Sequence, residues 1–224
     1  MKRYLKSPIH WSFYVLGVLI AAFGVFLMKR STLGLGPWGV AAFELNAWLD
    51  PILGFFTFGI ASSVHTYAMI IVILIINRNL KSAFVFISVL VINITVDVYD
   101  ILLFSNWIPN GTASTMLYHG TGFILYCMGS AALILSRFPG MVIEEFTFSL
   151  MKVFAIKRYV VMRTIVAYFG FVLALIYGFA SGTNASSITI LSFVLGVAFG
   201  PVIQTIVKTI RKTTLGRRLD LKQQ

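Results

Sequence analysis

Six apolar stretches leave this chain few ways to fold. They run roughly from His10 to Met28, Thr57 to Ile76, Ser82 to Phe104, Met116 to Ser136, Tyr159 to Ala180 and Ile188 to Lys208. A bilayer's hydrocarbon core is about 30 Å thick, and about 20 helical residues cross it. Lipid offers no hydrogen bonds to backbone, so runs of this length resolve as helices. Composition agrees. The 224 residues are 58% hydrophobic and 11% charged, whereas a soluble domain carries about 25% charge. The expectation is an all-α integral membrane protein, a single polytopic domain with six transmembrane helices.

Orientation follows from the basic residues, which flank these stretches unevenly. With the N-terminus in the cytoplasm, Lys2, Arg3, Lys6, Arg78, Lys81, Arg137, Lys152, Lys157 and Arg158 all fall inside. So do Lys208, Arg211, Lys212, Arg217, Arg218 and Lys222 of the C-terminal tail, which meets anionic lipid or simply fixes topology. Only Lys29 and Arg30 fall outside, and Arg163, a turn into the fifth span, is expected to snorkel inward. Both termini are therefore expected in the cytoplasm. The same clustering explains the net charge of +11 without nucleic acid as a partner. The basic start Met1 to Lys6 resembles the opening of a signal peptide. The run behind it is long enough to span and lacks a small-residue cleavage site, so it reads as a retained helix. Cys127 is the single cysteine, so no intrachain disulfide forms and no metal or cofactor site is expected.

The feature that breaks the pattern is Leu33-Gly34-Leu35-Gly36-Pro37-Trp38-Gly39-Val40. Three glycines and a proline in eight residues do not continue a straight helix. Gly39 to Leu49 then reads as a short helix with Pro37 near its first turn. The second half repeats this order of features. Gly17 and Gly24 of the first span match Gly122 and Gly129 of the fourth, and Gly36-Pro37-Trp38-Gly39 matches Phe138-Pro139-Gly140. A short helix carrying acid follows each break, with Glu44 in one and Glu144-Glu145 in the other; Ser88 and Asp97 align loosely with Ser192 and Pro201. With three spans per half, the halves enter the membrane from opposite sides. The fold expected is two inverted three-helix repeats, about 8–104 and 116–208, with broken or interfacial short helices and a basic tail over 209–224. In such folds sites lie at broken helices near the pseudo-two-fold axis.

Leu33 to Trp38, Asp97 late in the third span, and Leu195-Gly196 with Gly200-Pro201-Val202-Ile203 in the sixth together resemble the YczE/YyaS/YitT group of bacterial membrane proteins. The chain departs from the YczE branch at Gly39, where an aspartate commonly follows the tryptophan. The resemblance implies a multi-pass protein of the bacterial plasma membrane, often taken for a transporter, and it supplies no catalytic residues.

Candidate site residues follow from the cost of polar groups in lipid. Asn93, Asp97 and Asp100 are spaced to share one helix face. They read either as a cation or proton site or as carboxylates near the outer end, within reach of Lys29 and Arg30. His65, among Ser62, Ser63 and Thr66, is a proton relay or a packed histidine. Glu44 either faces the axis or is a solvated interfacial acid. Glu145 falls with Ser149 and Lys152 opposite an apolar stripe of Val142, Ile143, Phe146, Leu150 and Val153, as on an amphipathic interfacial helix. Pro37 at the break is a candidate site residue, and Trp38 and Trp48 line a pocket or sit at headgroup level. Gly196 and Gly200 read as a small-residue packing pair.

No His-Glu-x-x-His, Gly-x-Ser-x-Gly or phosphate loop occurs, and Tyr99-Asp100 lacks the Gly-x-Gly-Asp partner of an intramembrane aspartyl protease. The chain reads as a non-enzyme. One function is a secondary transporter or channel for a small solute, coupled to protons or cations through Asp97 and His65. The other is an accessory protein supporting a partner assembly. Monomer and homodimer both remain open.

Overall fold

The computed structural model describes residues 8–78, 84–136, 138 and 142–213. These residues form helices α1 (Pro8–Ser31), α2 (Pro37–Leu53), α3 (Phe58–Asn77), α4 (Phe84–Asp97), α5 (Thr112–Ser136), α6 (Val142–Val153), α7 (Tyr159–Ser181) and α8 (Ile190–Lys212). Helix α4 runs on as a π-helical turn over Val98–Leu103. Six helices are long and apolar enough to cross a membrane: α1, α3, α4 with its π turn, α5, α7 and α8. Much of their outer surface is apolar, with Leu16, Ile75, Ile87, Leu117 and Ile176 all exposed. The remaining pair, α2 and α6, are the two short helices expected after the breaks. Of the second break, Pro139 and Gly140 lie outside the described residues, as do Lys2, Arg3, Lys6, Lys81, Arg137, Arg217, Arg218 and Lys222.

Local chemistry sets the helix ends. Thr57 caps α3 by accepting from the Ile60 N–H at 3.2 Å, and Thr189 and Ser192 form a reciprocal capping box at the start of α8. Pro37 occupies the first turn of α2 and Gly54 closes it in the left-handed region at φ 71°. Helix α2 is longer than the expected 39–49 because the turn at Pro37 is already helical and Pro51 falls too late to stop it.

Two glycine pairs bring α1 and α5 together along their length. A Cβ on Gly24 would lie 2.4 Å from the Tyr126 backbone nitrogen, and one on Gly129 would lie 2.4 Å from that of Ala21. Both neighbours are backbone, so neither can swing aside. Around this pair, α4 packs on α1 and α8 packs on α5, while α2 packs on α7 and α3, and α3 packs on α6. The starts of α1, α4 and α7 meet the ends of α3, α5 and α8 at one end of the bundle. Contacts there include Tyr14 with Ser88 and Asn77 with Ser149. Arg78, Lys152, Lys157, Arg158, Lys208, Arg211 and Lys212 belong to this basic end, and Lys29 and Arg30 to the far end.

Helix α2 does not start at the far surface. Its first residue, Pro37, sits against Gly170 halfway along α7 and against Gly196 of α8, with approaches that would bring added Cβ atoms to 3.1 Å and 3.0 Å. From that mid-height it climbs to the far end. There Trp48 stacks on Tyr177 at 6.2 Å, and Glu44 reaches the α7–α8 connection. Gly196 and Gly200 therefore do not act as one packing pair. Gly196 faces Pro37, and a Cβ on Gly200 would meet nothing within 4 Å.

Gly24→Val should cost several times more folded protein than Gly200→Ala, because overpacking a tight contact costs about 1–3 kcal/mol and backbone cannot yield. Monodisperse yield after detergent extraction reads this directly. Equal yields would remove the α1–α5 crossing as the framework of the fold.

Candidate solute cavity

The start of α2 opens into a cavity of about 160 Å³ at the centre of the bundle. Gly36 to Gly39 form one wall; Ser62, His65 and Thr66 come from α3, Asn93 from α4, Tyr126 from α5, Arg163 from α7 and Phe199 from α8. Two other cavities flank it. One of about 480 Å³ occupies the basic end, lined by Glu144, Glu145, Tyr159, Gln204, Lys208 and Arg211. One of about 200 Å³ occupies the far end, lined by Lys29, Thr32, Gly34, Ser186 and Ser187. Met28 and Leu35 border both the far-end and the central cavity. Arg163 borders the central cavity, and its partner Glu144 borders the basic-end one.

Several polar groups of the central cavity have no partner. His65 is 5% exposed, and neither imidazole nitrogen reaches a hydrogen-bond partner at normal geometry. The Trp38 indole N–H is likewise buried and unpartnered. The His65 ring lies between aromatic neighbours, with centroids 6.2 Å from Trp38 and 5.4 Å from Tyr177. Buried polar atoms are normally satisfied, so such a concentration calls for an explanation. Helix α2 adds more: Gly36 supplies no side-chain cap, and the first N–H groups of any helix have no partner within it.

Arg163 stands where the central and basic-end cavities meet. Its Nε is 3.5 Å from Glu144 Oε1, with side chains 11% and 12% exposed. The other Glu144 oxygen accepts the Tyr159 hydroxyl. Burial raises the Glu144 carboxyl above the usual carboxylate range, and the Arg163 guanidinium pulls it back. Arg163 was expected to snorkel toward the basic end; it is instead held in a buried pair, because α6, folded against α7, brings Glu144 to it.

Of the residues singled out in the sequence, Pro37, Trp38, His65 and Asn93 line the central cavity, and Glu145 lines the basic-end one. Asn93 donates to Ser63 Oγ at 2.9 Å. Asp97 is engaged elsewhere. It accepts the Thr57 hydroxyl at 2.5 Å and the Gly59 N–H at 2.9 Å, holding the first turn of α3 from across the helix pair. Gly59 permits this, since a Cβ there would lie 2.3 Å from the carboxylate. Asp100 does not share the Asn93 and Asp97 face. The wider π turn after Asp97 rotates it toward α1, where it pairs with Lys29 and with Arg30 Nε at 2.6 Å, and its backbone carbonyl accepts from Arg30 Nη2 at 2.7 Å.

Glu44 is neither solvated nor turned to the central cavity. It is fully buried and accepts from the Thr183 hydroxyl at 2.5 Å, the Ser187 N–H at 3.1 Å and the Ser187 hydroxyl, clamping the α7–α8 connection. The solvated face expected for α6 is also corrected. Ser149 is buried and accepts from Asn77 at 2.8 Å, because α6 packs between α3 and α7. Tyr126, Thr66 and Arg163 were not named as site residues. Only Arg163 carried a signal, as a charge inside an apolar span.

Asp97→Ala should lower stability by about 1–3 kcal/mol, the scale of a lost helix cap and of hydrogen bonds to a charged group, while leaving the central cavity accessible. Thermal unfolding of the purified protein checks this. A loss no larger than that of an exposed apolar control such as Ile71→Ala would remove the capping role.

Residues 8–208 match a family described as a family of unknown function (DUF6198). No curated protein and no solved structure matches the chain. The chain belongs to that family of unknown function.

Proposed function

We propose that this family member is a multi-pass membrane transporter or channel-like protein for a small solute, with its site in the central cavity. The observation that carries this reading is the central cavity between cavities at either end of the bundle, lined by polar groups of which the Trp38 N–H and Arg163 Nε have no hydrogen-bond partner. Met28 and Leu35 stand between it and the far-end cavity, and the Arg163–Glu144 pair stands between it and the basic-end one. Alternating access would need these two places to open in turn. His65, rather than Asp97, is the titratable group positioned to couple a proton, since Asp97 is committed to α3.

Inverted repeats fit this mechanism, and several correspondences support them. Ser31 follows Gly17 and Gly24 at the same spacing as Ser136 follows Gly122 and Gly129. Each serine hydroxyl donates to the carbonyl three residues back, at 2.6 Å, and accepts an N–H two residues on. Helix α2 crosses to α7 as α6 crosses to α3. The glycine-rich stretch that resembles the YczE/YyaS/YitT group is the one that opens α2 into the cavity, so we keep that kinship within the proposal. The excess of basic residues at one end supports a cytoplasmic location for both termini in a bacterial plasma membrane.

The test uses single cysteines in a Cys127→Ser background. Ser62→Cys and Thr66→Cys, on the central cavity, should react with a membrane-impermeant thiol reagent at least about tenfold faster than lipid-facing Ile71→Cys, because thiolate chemistry needs water. Protection of both at the Ile71→Cys level would mean a dry bundle and would favour a partner-supporting role.

A further inference from the structure

We propose that the solute in the central cavity is a small carboxylate, held by Arg163, His65 and the N-terminus of α2; this rests on the transporter reading. The cavity gathers hydrogen-bond donors and leaves them unused. Among the described residues Arg163 is paired only with Glu144, and its Nε, 3.5 Å from Oε1, lies outside good hydrogen-bond geometry. A guanidinium offers five N–H groups in a planar fork that matches a carboxylate. His65 is nine-tenths buried with no side-chain partner, only the Ala61 backbone one turn back, and the Trp38 indole N–H is a pure donor without a partner. Helix α2 begins at the same wall without a side-chain cap; Pro37 has no N–H and that of Val40 is bonded to Gly36, which leaves those of Trp38 and Gly39 at its positive dipole end.

Among the described residues, no carboxylate lines this cavity. Glu144 borders its neighbour, Asp97 is bound to Thr57 and Gly59, and Asp100 and Glu44 are paired at the far end. The opposite wall is apolar, with Met28, Phe58, Ile92 and Val96, which suits a short hydrocarbon body behind the carboxylate. The volume, about 160 Å³, equals roughly five waters at about 30 Å³ each and fits a solute of a few heavy atoms. Glu144 and the solute then compete for Arg163. An empty site leaves Arg163 on Glu144; a bound carboxylate draws it away and loosens the barrier toward the basic end.

Thermal unfolding of the purified full chain tests this with acetate, propionate and butyrate, with inorganic phosphate and with propylamine. Carboxylates should give saturable stabilisation. Apparent affinity should fall at least about tenfold in Arg163→Gln, fall less in Arg163→Lys, which keeps charge without the fork, and rise in Glu144→Gln. The rise in Glu144→Gln is not what a merely structural pair would give, and it carries the test if Arg163→Gln does not fold. Stabilisation by propylamine or only by phosphate, or carboxylate binding unchanged in Arg163→Gln or Glu144→Gln, would overturn the carboxylate assignment while leaving a solute site intact. No stabilisation by any probe overturns it too; with Ser62→Cys still reactive the transporter reading survives, and with Ser62→Cys protected that reading fails as well.

Discussion

The depth at which α2 begins governs everything else about the bundle. Pro37 reaches mid-height only because Gly170 and Gly196 offer no side chains where it sits. That contact converts a loop between two spans into a 17-residue helix that starts beside the central cavity. Backbone at membrane depth is tolerated only where it is buried in protein or lines a cavity. A broken helix at this depth therefore demands either a partner or a water-filled space, and the central cavity meets that demand.

Three carboxylates toward the far end keep this arrangement in place. Glu44 ties the climbing part of α2 to the α7–α8 connection through three donors. Asp97 ties α4 to the first turn of α3, and Asp100 ties the π turn to the end of α1. Each is a carboxylate in an apolar setting, costly alone and satisfied by directed donors. Their geometry marks them as structural, which removes the acidic groups from the centre and leaves a cavity dominated by donors. The sign of the proposed solute follows from that subtraction as much as from Arg163 itself.

The span pattern was legible because bilayer thickness fixes helix length, so six apolar runs translate almost directly into α1, α3, α4, α5, α7 and α8. The glycine pairs were legible for a similar reason: seven-residue spacing keeps them on one face, and small residues there admit a second helix. Partner choice was not legible. Asp97 and Asp100 look alike in sequence, and only the π turn sends one to α3 and the other to α1. Arg163 is a charge one turn inside a span, a position equally suited to snorkelling or to a buried pair. What decides is Glu144, whose position depends on how α6 folds back. The sequence of α6 read as interfacial because alternating apolar positions cannot say whether the opposite face meets water or α3. His65 and Trp38 were visible as polar groups in or beside lipid, but their shared lack of partners exists only in three dimensions.

The most direct measurement is a crystal structure of the chain with a bromine-bearing short-chain carboxylate, located by anomalous scattering. The account predicts one bromine peak in the central cavity, on the apolar side near Phe58 and Ile92, with the carboxylate against Arg163 and the start of α2. A peak confined to the basic-end cavity beside Lys208 and Arg211, with the centre unoccupied, would contradict it.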